Sequence, residues 1–173
     1  MKNNHSIEKI INKAFNLHSQ KKFQEAVKYY QYCINRGFKN GYVYFNYGLI
    51  LQNQGKLREA ELLYRKAIEI NPNLEEPYTN LANIVSFFGK LQEAETLLRK
   101  VIEINPNSEI AYSNLGIILK DLGNLNEAEI TLLKAIKINP KLSEAHLNLG
   151  TIYKDLGNLN EAEISLMLRT FFS

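Results

Sequence analysis

Tryptophan is absent from the 173-residue sequence, and cysteine occurs once, as Cys33. A single cysteine cannot form a disulfide within the chain, and it fits a reducing compartment. No apolar run approaches the length of a membrane span, and the first residues lack the apolar segment of a secretory signal. The sequence therefore predicts a cytoplasmic protein with no membrane partner.

Neither sign of charge is in large excess. Lys and Arg number 21 and Asp and Glu number 18, which gives a net charge of +3. Nucleic-acid binders usually carry a much stronger basic bias, so we expect no nucleic-acid partner. Hydrophobic residues make up 45% of the chain and charged residues 23%, a mixture that can bury a core.

The chain has few residues suited to catalysis or to metal binding. Its three histidines are His5, His18 and His146, and none has metal-ligand spacing to another histidine or to Cys33. A glycine-rich phosphate loop and a Gly-x-Ser-x-Gly turn are also missing. The sequence therefore predicts a protein that is not an enzyme and that binds neither a metal nor a cofactor.

What the chain does have is a period of 34 residues. Three prolines, four glycines and four alanines recur at that interval. They are Pro72, Pro106 and Pro140; Gly55, Gly89, Gly123 and Gly157; Ala60, Ala94, Ala128 and Ala162. A fixed interval of this length is typical of stacked copies of one supersecondary unit.

One such unit, residues 109–142, contains two helical patterns separated by Gly123. Apolar residues recur at spacings of three, four and seven in each half, which predicts two amphipathic helices. Asn124 is expected to cap the start of the second helix with its side chain. Gly116 and Ala128 remove side-chain bulk, so we expect the two helices to approach closely at these residues.

The unit 109–142 closely resembles the tetratricopeptide repeat. The residues that carry the resemblance are Tyr112, Leu115-Gly116, Leu119, Gly123, Ala128, Leu132, Ala135 and Pro140. The resemblance covers nearly the whole chain in five units, roughly 7–40, 41–74, 75–108, 109–142 and 143–173. It implies a single all-α solenoid, a right-handed superhelix of about five helix pairs. In this register His146 takes the position of Tyr112 and Cys33 that of Ala67, so both side chains are expected to pack rather than react.

The outermost units depart from the pattern. In the first unit Lys13 replaces an apolar residue, Lys21 replaces glycine and Phe38 stands where the other units have proline. In the last unit the copy fails after Leu166, and Arg169 takes the place of a small alanine. Terminal repeats are commonly atypical because one face meets water. The ending also predicts that the series of repeats has been truncated.

Five asparagines occupy one position, the residue before the Leu-Gly pair of each unit. They are Asn12, Asn46, Asn80, Asn114 and Asn148. A carboxamide both donates and accepts, so such a row can hold an extended peptide by its backbone. The row looks like the asparagine ladder on the inner surface of the superhelix in protein O-GlcNAc transferases. The alternative is that the amides hydrogen-bond a neighbouring repeat, since half-buried amides need partners.

Apolar and aromatic residues are expected on the concave face at its N-terminal end. They are Phe15, Tyr42, Phe45 and Leu49. Exposed aromatic residues with polar neighbours often mark a protein-binding site. The alternative is that Tyr42 and Phe45 pack between neighbouring repeats. The resemblance does not extend to the carboxylate clamp of co-chaperones, because Ile11 and Phe15 stand at its lysine and asparagine positions.

These observations favour a non-catalytic scaffold that binds a protein or peptide ligand, either an extended peptide or a partner helix, in the concave groove. The asparagine row and the four apolar residues are the predicted contacts.

A second hypothesis is a substrate-recognition segment of a larger glycosyltransferase-like enzyme whose catalytic domain is absent. A third is a self-assembling structural module, a homo-oligomer formed through the apolar end of the last repeat. That end contains Leu166, Leu168, Phe171 and Phe172. A site that hydrogen-bonds the peptide backbone accepts many ligand sequences, so it does not specify one ligand.

Overall fold

The computed structural model describes the backbone of residues 2–172 and the side chains of residues 7–172, so the side chain of His5 lies outside it. All regular secondary structure in this range is α-helical, as predicted. The helices are α1 Lys2–Ser19, α2 Phe23–Asn35, α3 Gly41–Asn53, α4 Leu57–Ile70, α5 Glu75–Phe87, α6 Leu91–Ile104, α7 Glu109–Asp121, α8 Leu125–Ile138, α9 Ser143–Asp155 and α10 Leu159–Phe171. Among these helices, none is long and apolar enough to cross a bilayer.

Two compact units make up the chain, Met1–Leu81 and Ala82–Ser173, with the division inside α5. In the first unit α1 packs on α2, α2 on α3, and α3 on α4. In the second unit consecutive helices from α6 to α10 pack on one another, and α7 also contacts α9 directly. These helices thus bury their apolar stripes against neighbours in the sequence, as a repeat that cannot fold alone requires.

The residues that bury these stripes are those of the 34-residue pattern. On α7 and α8 the side chains of Tyr112, Leu115, Leu119, Ala128, Leu132 and Ala135 are all buried. Cys33 is fully buried as a free thiol, and His146 is buried with its ring stacked 5.7 Å from that of Phe172. The Nε2–H of His146 donates to the backbone oxygen of Pro140 at 2.9 Å. The predicted packing roles of Cys33 and His146 are confirmed.

Tight turns within the helix pairs require a backbone with positive φ. Gly55 has φ of 75°, its N–H donates to Gln52 O, and the following N–H of Lys56 donates to Leu51 O. These are the paired bonds of a helix C-terminus that ends in a left-handed residue. Lys21 is the one non-glycine residue in the described chain with positive φ, at 59°. Its backbone therefore occupies a conformation that costs energy for an L-residue.

The N-cap residue of α8 is Asn124, as predicted, but the side-chain hydrogen bond expected of a cap does not form. The φ and ψ of Asn124 are −86° and 60°. A side-chain cap is typical of extended backbone, with a larger ψ. Asn40 and Ser108 have that geometry, and their side chains accept from the N–H groups of Val43 and Ala111. At these two positions the cap forms where a repeat begins, whereas none forms at the turn before α8.

Candidate peptide-binding site

The asparagines of the first compact unit use part of their hydrogen-bonding capacity within their own helices. Asn46 Nδ2 donates to Tyr42 O and Asn80 Nδ2 donates to Glu76 O, both at 2.9 Å. Both side chains are half-buried, whereas Asn12 on α1 is exposed. An amide that makes one such bond keeps a second N–H and an acceptor oxygen. Asn46 and Asn80 are therefore oriented by their helices and retain the groups that a peptide backbone would need.

In the second unit the asparagine row meets another amide. Asn114 Nδ2 on α7 lies 3.5 Å from Asn83 Oδ1 on α5. The alternative hypothesis for the asparagine row was a hydrogen bond to a neighbouring repeat. Asn114 makes such a bond. Asn148 on α9 differs, because its Nδ2 is buried and has no hydrogen-bond partner in the described part of the chain.

The repeat register explains why Asn114 and Asn148 differ. Asn83 is 31 residues before Asn114 in the sequence. The residue at the same distance before Asn148 is Ile117, which has no acceptor in its side chain. Asn83 occupies the same repeat position as Phe15 and Leu49, two of the predicted contacts. The sequence prediction did not include Asn83, although this shared position indicated it.

A cavity of about 150 Å³ adjoins the two amides. It lies in the second unit, where α5, α6 and α7 meet. Its lining combines amide and hydroxyl groups with aliphatic side chains. The lining residues are Ala82, Asn83, Ser86, Leu98, Asn114, Ile117 and Ile118. The buried hydroxyl of Ser113, beside Asn114 in the sequence, has no partner in the described structure. Polar groups at an apolar opening are the usual composition of a ligand site.

The predicted aromatic contacts divide into packed and exposed residues. Phe15 and Phe45 are half-buried, and their ring centroids lie 6.2 Å from Tyr30 and 5.9 Å from Tyr64. Each of these ring pairs joins the two helices of one predicted repeat. Leu49 is also half-buried, whereas Tyr42 is 47% exposed. Tyr42 is therefore the residue of this group with most surface available to a ligand.

Burial and ion pairing affect a few side chains near these positions. Burial raises the pKa of Tyr64 well above its usual value, so its hydroxyl stays protonated and donates to Gln52 Oε1. Lys120 and Asp121 form a partly exposed ion pair at 3.9 Å, a type that contributes little to stability. Within residues 7–172 no three His, Cys, Asp or Glu side chains are grouped closely enough to hold a metal ion.

Stacked helix pairs with a 34-residue period define a helical repeat protein, a class that works by presenting surfaces to partners. Sequence models of the tetratricopeptide repeat match residues 14–39, 41–74, 63–96, 88–141 and 131–164. The chain therefore belongs to the tetratricopeptide repeat family. No protein of curated function matches the sequence significantly.

Solved structures with the same fold include MamA, YrrB and PilF of Pseudomonas aeruginosa. MamA is 20% identical with a TM-score of 0.83, and the match covers 92% of this chain and 93% of MamA. YrrB is 21% identical with a TM-score of 0.83, over 95% of this chain and 84% of that one. PilF is 12% identical with a TM-score of 0.83, over 100% and 79%. These likenesses confirm the tetratricopeptide repeat solenoid, and at such identities they show the fold alone.

Proposed function

We propose that the protein is a non-catalytic scaffold that binds an extended peptide, and that the Asn83–Asn114 pair is its central contact. The observation that carries this proposal is the meeting of two amides from different helices at the edge of a partly apolar cavity. YrrB is described as a tetratricopeptide repeat protein with an unusual peptide-binding site. A protein of the same fold that binds peptides supports the same kind of function here.

The chemistry of the pair matches that of a peptide unit. In the observed contact Asn114 uses one N–H and Asn83 uses its oxygen. The Asn83 amide N–H groups and the Asn114 oxygen are therefore left for a ligand C=O and N–H. Ile117, which is half-buried, supplies apolar surface for one small side chain of the ligand.

The first compact unit offers a second set of contacts of the same kind. Asn46 is held by its bond to Tyr42 O, and the exposed Tyr42 ring lies on the same helix. Tyrosine supplies a large contact area at little cost in conformational entropy. We propose Tyr42 and Asn46 as ligand contacts, with Asn12 and Asn80 continuing the row. The exposed parts of Phe15, Phe45 and Leu49 complete this set.

The proposal is tested with an array of short synthetic peptides of varied sequence, from which binders are selected and their Kd values measured. The double variant Asn83→Ala/Asn114→Ala should bind about tenfold or more weakly, since each hydrogen bond contributes about 0.5–1.5 kcal/mol. Asn126→Ala is the matched control, because Asn126 is an exposed helical asparagine on α8. Circular dichroism should show equal helicity in all variants.

Backbone recognition has a second signature. N-methylation of single residues in a selected peptide removes one backbone N–H while keeping the side chain. We expect a large loss of affinity at one or two positions and little change when side chains are replaced by alanine. The proposal fails if no peptide in the array binds, or if the double variant binds as tightly as the control.

A second candidate function, self-association, is favoured by the exposed face of α10. Leu166 is 39% exposed, whereas Leu132, at the same place in the preceding predicted repeat, is buried against α7 with α9 nearby. Met167 and Phe171 are 65% and 80% exposed. Light scattering at increasing concentration should detect a dimer that Met167→Lys removes. A monomer at every concentration would exclude this candidate.

A further inference from the structure

Positive charge is concentrated in the first predicted repeat. Residues 7–40 contain seven basic and two acidic side chains, a net charge of +5, against +3 for the whole chain. The acidic ones are Glu8 and Glu25, and the basic ones are Lys9, Lys13, Lys21, Lys22, Lys28, Arg36 and Lys39. The low overall charge therefore conceals one strongly basic end.

An apolar groove of about 290 Å³ lies between α1 and α2 in this basic repeat. It is lined by Ile10, Lys28, Tyr29 and Tyr32. Tyr32 is 43% exposed, and Ile10 and Tyr29 are half-buried. We call this feature the tyrosine groove. Exposed aromatic and aliphatic groups that lie together in a concavity are typical of a protein-binding surface.

Two cations flank the tyrosine groove. Lys28, Tyr32 and Arg36 are spaced four residues apart. Lys28 and Tyr32 therefore share one face of α2, and Arg36 follows on the same side at the C-cap of the helix. The Arg36 guanidinium carbon lies 5.4 Å from the centroid of the Tyr32 ring. Arg36 is thereby held over the aromatic surface by a cation–π contact while its side chain remains exposed.

The repeat register shows that α1 presents an unusual surface beside the groove. Leu115 and Leu149 are buried at the position that Lys13 occupies in the first repeat, and Lys13 is exposed. Tyr112 is buried at the position of Ile10, which is only half-buried. Because Ile10 and Lys13 lie one turn apart, α1 adds a third cation near the apolar groove.

We propose that the tyrosine groove binds an acidic amphipathic peptide segment of a partner protein. An apolar side chain of the peptide enters between Ile10, Tyr29 and Tyr32, and its carboxylates pair with Lys28 and Arg36. Charge complementarity selects the acidic partner. A concave groove suits an inserted side chain better than a flat bilayer surface, and a single groove does not follow the phosphates of a nucleic acid. This surface is separate from the Asn83–Asn114 pair.

The probe is a labelled synthetic peptide of about 15 residues, long enough for a marginal helix, with Leu on one face and Glu on the other. Its control replaces every Glu by Lys. Fluorescence anisotropy should show that the acidic peptide binds, that the basic peptide does not, and that salt weakens the complex by screening. Binding of both peptides with equal affinity would overturn the proposal.

Variants locate the site. Lys28→Glu/Arg36→Glu should weaken binding about tenfold or more, whereas Lys137→Glu/Lys141→Glu, an equal change of net charge in the fourth predicted repeat, should change it little. Tyr32→Ser should also weaken binding, and this loss should persist at high salt. Thermal unfolding checks that each variant is folded. Equal losses in the two double variants would overturn the proposal.

Two further measurements separate this proposal from its competitors. Asn83→Ala/Asn114→Ala should leave the affinity for the acidic peptide unchanged, and a parallel loss would place the peptide at the other surface. Vesicles of phosphatidylserine and a single-stranded oligonucleotide serve as the other anionic probes. Tighter binding of either one, lost in Tyr32→Ser, would replace the acidic peptide as the ligand.

Discussion

Leu132 of α8 fills the space that a side chain on Gly116 of α7 would occupy, because a Cβ atom there would lie 2.5 Å from Leu132 Cγ. The close approach expected at Gly116 is confirmed, and the group it accommodates is Leu132. Gly116→Ala should lower the free energy of unfolding by up to about 2 kcal/mol. This combines about 1–3 kcal/mol of overpacking with about 1 kcal/mol gained from helix propensity. Urea unfolding measures the change.

Gly150→Ala on α9 is the matched control for that substitution. A Cβ atom there would lie 3.0 Å from Leu166 Cγ, and Leu166 is 39% exposed and can move away. The backbone oxygen of Ala162 would also lie 3.3 Å from that Cβ atom, so we expect a smaller loss of stability than for Gly116→Ala, offset by up to about 1 kcal/mol of helix propensity. Equal destabilisation by Gly116→Ala and Gly150→Ala would contradict the packing argument.

Lys21→Gly should stabilise the protein by up to about 1 kcal/mol, because Lys21 has φ of 59° and glycine adopts that conformation without strain. Gly55→Ala is the reverse experiment. Gly55 has φ of 75°, and a Cβ atom added to it would meet open space, so any loss of stability there comes from the backbone alone. In thermal unfolding, the melting temperature of Lys21→Gly should lie above that of the wild type, and that of Gly55→Ala should lie below it. A destabilised Lys21→Gly variant would show that the lysine side chain makes a favourable contact.

His18 should make stability depend on pH. Its Nδ1 lies 3.0 Å from the Tyr30 hydroxyl, and burial lowers its pKa below the ordinary 6.5. The unfolded chain therefore binds the proton at a higher pH than the folded one. The stabilisation is complete above about pH 6.5 and is lost as the pH falls toward and through the lowered pKa. His18→Gln should reduce the slope of urea midpoint against pH between about 7 and 5. An unchanged slope would rule out His18 as its source.

Cys33 should resist thiol reagents until the first repeat opens. It is fully buried, and burial raises its pKa, so both access and the thiolate fraction are low. The rate of reaction with a disulfide reagent should be slow in the native protein and rise with urea along with the loss of helicity. Rapid labelling at zero urea would show that α1 and α2 open locally. The chain has no tryptophan, so this thiol is a convenient probe.

The fold could be predicted because the features that determine it repeat. A position such as that of Leu115 and Leu149 is buried by its place in the register, so a single period predicts many buried residues. Local backbone geometry was harder to predict from the sequence than the buried positions were. Asn124 has a common capping residue type, but the turn that precedes α8 gives it a ψ of 60°, and no side-chain bond forms.

The candidate site could be predicted only in part, for a different physical reason. The asparagine row was found because it repeats, whereas Asn83 is the single amide at a position that holds Phe15, Leu49, Ile117 and Thr151 in the other repeats. The contact between Asn83 and Asn114 depends on two residues from different repeats facing each other. A search for periodicity detects what every unit shares, and it overlooks a pair that exists once.

That single pair has a consequence for any ligand held by its backbone. Copies of one repeat offer an extended chain several equivalent positions, and a ligand could shift by one repeat without losing contacts. The Asn83 amide exists in one repeat only, since Phe15, Leu49, Ile117 and Thr151 take its place in the other repeats. Under the proposed function, this amide would set the alignment of a bound chain, which a perfectly regular array would leave undetermined.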